Sequence, residues 1–218
     1  ATVKSVDDNI GRVLAYLKEN DLEDNTILVY ASDQGFFLGE HGFFDKRFMY
    51  EESLHMPFVI RYPGKIKAGT VVNDIVSNID FAPTLLEMAG VSIPEKVQGS
   101  SFFSNLKGET APDWRQSMYY HYYEYPYYHR VQPHYGIRNQ RYKLIHFYYS
   151  MDTWEFYDLK NDPSELKNLI NSQAYASRIE GLKSELYQLK KSYGNTLSIE
   201  ELRAISDTDF GGLESAKK

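Results

Sequence analysis

The chain has 218 residues, 42% hydrophobic and 25% charged, which is enough for one domain or two small ones with an ordinary apolar core. A net charge of −6 gives no support to a surface that binds a polyanion, so nucleic acid is not expected as a partner. The absence of cysteine excludes disulfides, thiolate metal sites and a cysteine nucleophile within these residues.

The first half of the chain has the pattern of an α/β protein. Apolar residues at helical spacing predict an amphipathic helix over residues 2–19. The β-branched run at 26–31 predicts a strand buried on both faces, as in a parallel sheet. Further elements are predicted as a strand over 57–62, a weaker strand over 70–77, and a helix over 80–90 that Asp80 caps and Gly90 ends.

The second half is rich in aromatic residues, since most of the 19 tyrosines lie between positions 119 and 149. Large flat side chains are typical of strands. Four antiparallel strands are predicted at 117–125, 136–138, 142–149 and 154–159, followed by a helix from Tyr175 to Gly194. We therefore predict an α/β part over residues 1–110, an antiparallel sheet with a long helix over 111–195, and a polar tail over 196–218.

No apolar run approaches the roughly 20 residues that a membrane helix needs, so no membrane span is expected. The first residues also lack the basic-then-apolar order of a signal peptide. They enter a helical pattern at once, and we expect the chain to be part of something larger.

Asp33 and Gln34 directly follow the first predicted strand, where α/β proteins commonly bind their ligands. Carboxylate and amide oxygens suit Ca²⁺ or Mg²⁺ better than zinc. The alternative is that Asp33 only caps a turn as the chain leaves the strand. The dipeptide by itself leaves both interpretations open.

A glycine-containing loop follows and carries further candidates. Lys46 could present a point charge to a tetrahedral oxyanion, and Arg47 a forked set of donors. His41 and His55 could each serve as a general acid or a ligand. The alternatives are a solvated charged turn for Lys46 and Arg47, and structural roles for the two histidines.

Taken together, these segments resemble the type I, formylglycine-dependent sulfatases, in their C-terminal portion. The resemblance covers about residues 3–194. Within the family, the sequence is most similar in its motifs to bacterial carbohydrate sulfatases and N-acetylglucosamine-6-sulfatases. The motifs that carry it are Ser32-Asp33-Gln34-Gly35, Leu38-Gly39-Glu40-His41-Gly42, Asp45-Lys46-Arg47, Tyr50-Glu51-Glu52-Ser53, Pro57 to Gly64, Asn78 to Leu86, His134 to Arg138, Tyr142-Lys143-Leu144 and Trp154 to Leu159 with Asp162-Pro163.

The resemblance implies an alkaline-phosphatase-like sandwiched sheet followed by an α+β subdomain with a small antiparallel sheet and a long helix. It implies that Asp33 is a Ca²⁺ ligand, that Gln34 occupies a position where the family commonly has Asn or His, and that Lys46 binds the sulfate and helps the bridging oxygen leave. His41 is the second candidate for a catalytic role. By the same resemblance, the location is expected to be periplasmic or secreted.

The family's nucleophile is missing from this sequence. It comes from a Cys or Ser in a C/S-x-P-x-R motif that is converted to formylglycine, and the nearest match, Ser92 to Lys96, ends in lysine and lies downstream of the metal pair. The other Asp ligands, a second Lys and a His also belong to the family's N-terminal portion. We therefore expect this chain to hold part of an active site, to need the N-terminal portion of the same protein, and to be inactive alone.

The tyrosine-rich stretch has two interpretations. Its side chains could simply pack against the last helix. Alternatively, some aromatics together with Arg130, His134 and Arg138 could line the rim where a sulfated sugar binds. His134 and Arg138 would then contact the substrate, in addition to Lys46 and Arg47 of the glycine-containing loop. A zinc cluster of His121, His129 and His134 lacks the ligand spacing that such sites show.

The predicted function is hydrolysis of sulfuric esters, with sulfated carbohydrate as substrate. One alternative is a phosphatase or phosphodiesterase of the same superfamily, which usually needs two metals and several His and Asp ligands. The other is a non-catalytic carbohydrate-binding module formed by the aromatic strands.

Overall fold

The computed structural model describes residues 2–125 and 129–208. Its α-helices are α1 (Thr2–Glu19), α2 (Glu51–Leu54), α3 (Phe81–Met88), α4 (Phe103–Leu106), α5 (Ala176–Ser192) and α6 (Ile199–Thr208). Its strands are β1 (Leu28–Ala31), β2 (Phe37–Leu38), β3 (Phe44–Asp45), β4 (Phe58–Arg61), β5 (Ser117–Tyr122), β6 (His134–Asn139), β7 (Tyr142–Phe147) and β8 (Thr153–Asp158). Among these described helices, none is both long and apolar enough to span a bilayer.

The chain divides into two compact units that are not continuous in sequence. The first takes residues up to 32, 57–73 and 79–112, and the second takes 33–56, 74–78 and the residues from 113 onward. The chain passes from the first unit to the second for the last time after Pro112, close to the domain boundary predicted at residue 110. The loop 33–56, however, groups with the C-terminal sheet. The three predicted domain segments stay a prediction.

The first unit contains α1 and a two-stranded sheet. Helix α1 forms where its apolar spacing predicts it, yet none of its residues is buried. Strand β1 pairs antiparallel with β4, and three of its four residues are exposed. The prediction of a strand buried on both faces is therefore wrong for this chain, because burial on both faces needs a covering layer on each side, and three residues of β1 remain exposed.

Helix α3 begins and ends within the range predicted for it. The expected capping bond is absent, because the buried Asp80 carboxylate accepts a hydrogen bond from the Ser100 amide instead, at 2.9 Å. Phe58 of β4 packs against Phe81 of α3 and against Phe102, with ring centroids 4.9 and 5.3 Å apart. These contacts form the core of the first unit.

The second unit is built on a four-stranded antiparallel sheet in the order β5-β6-β7-β8. All four predicted aromatic strands are confirmed, with ends shifted by up to three residues. Alternation along β7 sends Leu144 and Ile145 to opposite faces. Leu144 joins a core formed with α5, including Leu182 and Leu186, while Ile145 joins a second core with residues of the loop 33–56.

That second core fixes the loop to the sheet. Phe37 and Met49 from the loop are fully buried and pack with Ile145, Phe147 and Tyr157. Burying side chains of this size stabilises a fold by about 1.5–3 kcal/mol each. The loop is therefore held by apolar burial at both of its ends.

Two expectations about the rest of the chain are wrong. Residues 70–77 form no strand, and within that segment the Ile75 carbonyl accepts a hydrogen bond from the Trp114 indole, at 3.0 Å. The described part of the expected polar tail contains helix α6, whose Leu202 is buried against the α5 core. A single apolar stripe on a mostly polar helix accounts for the difference. Residues 209–218 of that tail lie outside the described residues.

Candidate functional site

Ser53 of α2 connects the two segments that were predicted to form the site. Its hydroxyl donates to the Lys46 carbonyl at 2.5 Å, and its own carbonyl accepts a hydrogen bond from the Gly35 amide at 2.7 Å. A Cβ at Gly35 would collide with the backbone carbonyl of Glu52, so only glycine permits this approach. The backbone after Gln34 and the backbone of Lys46 are therefore fastened to one buried residue.

Asp33 and Gln34 lie immediately before this attachment point. The Asp33 side chain is exposed and Gln34 is half-buried. The Asp33 carbonyl also accepts a hydrogen bond from the Asn78 side chain at 3.4 Å. The segment is thus held through its backbone on both sides of Gln34. Metal binding by the two side chains stays a prediction.

Lys46 is half-buried and follows a strained residue. Asp45 has φ of 103°, a value that non-glycine residues rarely adopt and that commonly marks functional sites. The Asp45 carboxylate forms an ion pair with Arg47, and it lies 3.3 Å from Nδ1 of His129. A carboxylate, a guanidinium and an imidazole are therefore grouped beside Lys46.

Arg47 pairs with Asp45 beside Lys46, and its contact with a substrate stays a prediction, whereas His129 was missed as part of this group. The sequence showed His129 only as a member of a rejected zinc cluster. No local pattern links it to Asp45, because the two residues are far apart in sequence and meet only through the folding of the second unit. The Arg130 that follows His129 has positive φ (49°).

His41 lies in a short turn and has a left-handed backbone, with φ of 56°. Its ring stacks on Tyr50 with centroids 4.4 Å apart, and Nε2 lies 3.4 Å from Glu52 Oε2. These contacts are sufficient to explain His41 as a structural residue. They also leave the ring in the same loop as Lys46, so the proposed catalytic role stays a prediction. His55, the other lone histidine, is exposed.

His134 does not lie at an open rim as expected. Its side chain is 0% exposed, its Nδ1 bonds to the Gln132 carbonyl at 2.8 Å, and its ring stacks near Tyr120 and Phe147. Position 134 begins β6, and the alternation of that strand turns the ring into the interior. The rim placement is therefore wrong for this residue.

Burial lowers the pKa of His134 to about 4, because an imidazolium would lose its hydration. In the unfolded chain the ordinary pKa is about 6.5. Between these values the unfolded chain binds a proton that the folded chain does not, so stability is fully present above about pH 6.5 and is lost as the pH falls toward 4. The slope for this one group is about 1.4 kcal/mol per pH unit.

We expect the free energy of unfolding to fall by about 2 kcal/mol more in the wild type than in His134→Phe between pH 6.5 and 5. The phenyl ring keeps the stacking but cannot bind a proton. Denaturant titrations of both proteins measure this difference. Between pH 7.5 and 8.5 the two should differ by a constant amount, and parallel curves between pH 6.5 and 5 would contradict the prediction.

Arg138 was predicted to contact substrate, but its guanidinium is already engaged. Its Nε and Nη2 donate to the two carboxylate oxygens of Glu51 at 3.2 and 3.1 Å. A forked pair of this kind fixes a guanidinium in one geometry. The structure therefore shows Arg138 holding Glu51, and its contact with a substrate stays a prediction.

His121, the remaining histidine of the rejected zinc cluster, also has other partners. His121 contacts the Tyr148 hydroxyl and the Asn195 amide, at 3.1 and 3.0 Å. Burial lowers its pKa to about 4. In the part of the chain that the structure describes, no group of three or more His, Asp or Glu side chains is arranged to hold a metal ion.

A family model for the C-terminal part of N-sulphoglucosamine sulphohydrolase matches residues 39–192. The chain belongs to this family of sulfatase C-terminal regions. The match spans the Lys46 loop, the four-stranded sheet and α5.

Individual relatives agree with this assignment. The chain is 55% identical over 195 residues to an N-acetylglucosamine-6-O-sulfatase from Bacteroides thetaiotaomicron, covering 88% of this chain and 35% of the relative. A solved protein in complex with its substrate D-glucosamine-2-N,6-O-disulfate superposes with a TM-score of 0.87 and 53% identity, covering 91% of this chain and 40% of that chain. A phosphonate monoester hydrolase of Agrobacterium radiobacter superposes with a TM-score of 0.77 at 27% identity, covering 87% and 40%.

The predicted fold class is confirmed by these solved relatives, which are alkaline-phosphatase-like, and by the antiparallel sheet and long helix of the second unit. The chain spans about a third of the length of the curated relatives that it matches. The comparisons therefore establish the family of this chain, and the activity, substrates and partners of the whole protein are proposed below.

Proposed function

We propose that the full-length protein is a sulfatase that hydrolyses a 6-O-sulfate ester of a glucosamine-type sugar, and that this chain supplies the C-terminal part of its active site. The observation that carries the proposal is the attachment of the Asp33-Gln34 segment and of Lys46 to the same residue, Ser53. The sugar and the position of the ester follow from what the similar proteins hydrolyse or bind.

Sulfate ester hydrolysis places negative charge on the sulfuryl oxygens and on the departing alcohol oxygen. An ammonium group held in place can stabilise that charge by several kcal/mol without reorganising during the reaction. Lys46 supplies this charge, and Arg47 beside it supplies forked donors. Together they bind the sulfate and favour departure of the bridging oxygen. The nucleophile that attacks sulfur lies outside this chain.

Asp33 and Gln34 would hold a Ca²⁺ ion. A carboxylate and an amide oxygen are the hard donors that Ca²⁺ prefers, and Mg²⁺ also accepts them. Such an ion, when bound, supplies positive charge for the sulfate oxygens. Two donors are too few for a site of 6–8 oxygens, so the other ligands come from the rest of the protein or from water.

The group formed by Asp45, Arg47 and His129 supports a sugar substrate. A carboxylate accepts hydrogen bonds, a guanidinium donates them, and an imidazole can do either, which matches the mixed demands of sugar hydroxyls. The strain at Asp45 supports a functional role for this position. We assign the group to recognition of the sugar next to the scissile ester.

The rest of the same polypeptide is the proposed partner of the first unit. Helix α1 carries exposed apolar side chains, with Val3 83% exposed, and strand β1 exposes Val29 and Tyr30. The two elements line a groove of about 380 Å³. Exposed apolar surface of this extent marks an interaction site. The N-terminal portion of a sulfatase would bury it. We propose a periplasmic or secreted location for that whole protein.

The function is tested by sulfate release from the full-length protein. We expect hydrolysis of glucosamine 6-O-sulfate and little hydrolysis of the 2-O- or 3-O-sulfated sugar under the same conditions. The chain of residues 1–218 alone should release no measurable sulfate from an aryl sulfate, since its nucleophile is elsewhere. Turnover by that isolated chain would show that the active site has been assigned to the wrong residues.

A second candidate is hydrolysis of phosphoryl or phosphonate esters, favoured by the likeness to the phosphonate monoester hydrolase. Metal content separates the two. We expect the purified full-length protein to contain one Ca²⁺ per chain, to lose activity in a chelator and to regain it with added Ca²⁺, whereas Asp33→Ala should not regain it. Elemental analysis that finds two zinc ions, with faster phosphonate than sulfate hydrolysis, would favour the second candidate.

A further inference from the structure

Four charged side chains form a cluster inside the second unit. Lys143 of β7 has a side chain that is 0% exposed, and its Nζ lies 3.0 Å from Glu51 Oε1 and 2.6 Å from Glu165 Oε1. The Glu165 side chain is equally buried. Arg138 completes the cluster through its forked pair with Glu51. Two basic and two acidic side chains thus meet, and of these Lys143 and Glu165 are fully buried.

Stability alone is a poor explanation for this cluster. Removing ions from water costs several kcal/mol each, and well-packed apolar residues can often replace a buried ion pair without loss. Glu165 also has φ of 50°, which is unfavourable for a residue with a side chain. A charged cluster that costs free energy on burial, and that includes a residue with a strained backbone, indicates a role other than stabilising the fold.

The cluster acts on the backbone of α2. Glu165 Oε2 accepts a hydrogen bond from the Glu51 amide at 2.7 Å, so the first residue of α2 is held through both its backbone and its side chain. Two residues later, Ser53 holds the Lys46 carbonyl and the Gly35 amide. A continuous set of hydrogen bonds therefore leads from the buried cluster to the two segments of the proposed site.

We propose that Lys143 and Glu165 are positioning residues: acting through Glu51, they fix α2, and through Ser53 they fix the backbones of Lys46 and Gly35. The role in catalysis rests on the proposed function, but the positioning itself does not. Lys143 pairs with the Glu165 carboxylate and holds it in place, and Glu165 holds the Glu51 amide.

Two variants of Glu165 in the full-length protein separate positioning from charge. Glu165→Gln keeps an oxygen that can accept the Glu51 amide, while Glu165→Met has similar length and no acceptor. We expect Glu165→Met to lower kcat by about tenfold or more with a smaller change in KM, because slight misplacement of a catalytic group is costly. Glu165→Gln should retain a clearly larger fraction of kcat. Glu180→Met, which removes an exposed partner of Lys183, is the matched control and should leave kcat unchanged.

Hydrogen exchange gives a readout that does not depend on sulfatase activity. In Glu165→Met, amides of residues 33–56 should exchange at least about tenfold faster than in the wild type, while those of β5 stay unchanged. If the wild type releases no sulfate, the proposed function fails and this measurement still tests the positioning. Unchanged exchange in 33–56 would overturn the inference, and so would equal loss of kcat in the Gln and Met variants.

Ser53→Ala covers the case in which Glu165→Met does not fold. It removes the hydroxyl that holds the Lys46 carbonyl and leaves the charged cluster intact. Faster exchange around Lys46 with a lower kcat is the expected result. A folded Ser53→Ala protein with wild-type exchange and wild-type kcat would also overturn the inference.

Discussion

Replacing Lys46 with alanine in the full-length protein is expected to lower kcat for sulfate release by about 10²–10³-fold, the usual effect of removing one stabilising donor from a charged transition state. The fold should survive. Lys46 is tied to Ser53 through its backbone carbonyl, which alanine retains, and its side chain is only half-buried. Steady-state kinetics on a glucosamine 6-O-sulfate, with thermal unfolding of the same samples, measure both expectations.

The exposed Lys167 provides the control, because Lys167→Ala removes one positive charge from the same unit away from the Ser53 attachment. Its kcat should equal that of the wild type. If Lys46→Ala keeps a kcat within a few-fold of the wild type while remaining folded, Lys46 does not stabilise the leaving group and the proposed site is wrong.

Residues 113–208 produced alone are expected not to unfold cooperatively. One face of their sheet would lose Phe37, Met49 and Tyr50, which belong to the same core as Ile145 and Phe147. The sheet would then expose a continuous apolar face to water. Circular dichroism during a denaturant titration measures the cooperativity. A carbohydrate-binding module formed by the aromatic strands, in contrast, should fold and bind glycans by itself.

A single substitution tests the same core within the full-length protein. Phe37→Ala should lower the free energy of unfolding by about 3–5 kcal/mol, the usual cost of deleting a buried phenyl ring. Phe44→Ala is the matched control, since Phe44 is 74% exposed, and should change stability by less than about 0.5 kcal/mol. A sharp unfolding transition for residues 113–208, or equal effects of the two substitutions, would contradict the importance of this core.

Elements with their own local pattern could be predicted from the sequence. The helix α5 repeats apolar residues at alternating spacings of three and four, and the strands β5 to β8 are rich in aromatic and β-branched residues between turn signals. Ordered motifs also identified the sulfatase family. The burial of β1 could not be predicted correctly, because burial depends on layers from elsewhere in the fold and not on the strand.

The chemistry of single residues was only partly predictable. The loop that holds Lys46 and Arg47 could be located, but the contacts of Glu51 with Glu165 join residues 114 positions apart and leave no local trace. Lys143 entered the sequence analysis only within the Tyr142-Lys143-Leu144 motif, and its burial was not predicted. His134 and Arg138 were assigned to a rim because their residue types suit sugars. Strand alternation instead buries His134, and Arg138 pairs with Glu51, which is distant in sequence.

The hydrogen bond between the Gly35 amide and the Ser53 carbonyl brings the two ends of the segment 35–53 together. Within this segment, β2 and β3 form a hairpin. Within the hairpin tip, His41 and Phe43 pack near Tyr50, whereas Gly39 and Gly42 are exposed. Insertions at these two glycines would leave the attachment of Gly35 to Ser53 in place, because added loop length costs little. A change of length at the tip is therefore separated from the backbone that places Gln34 and Lys46.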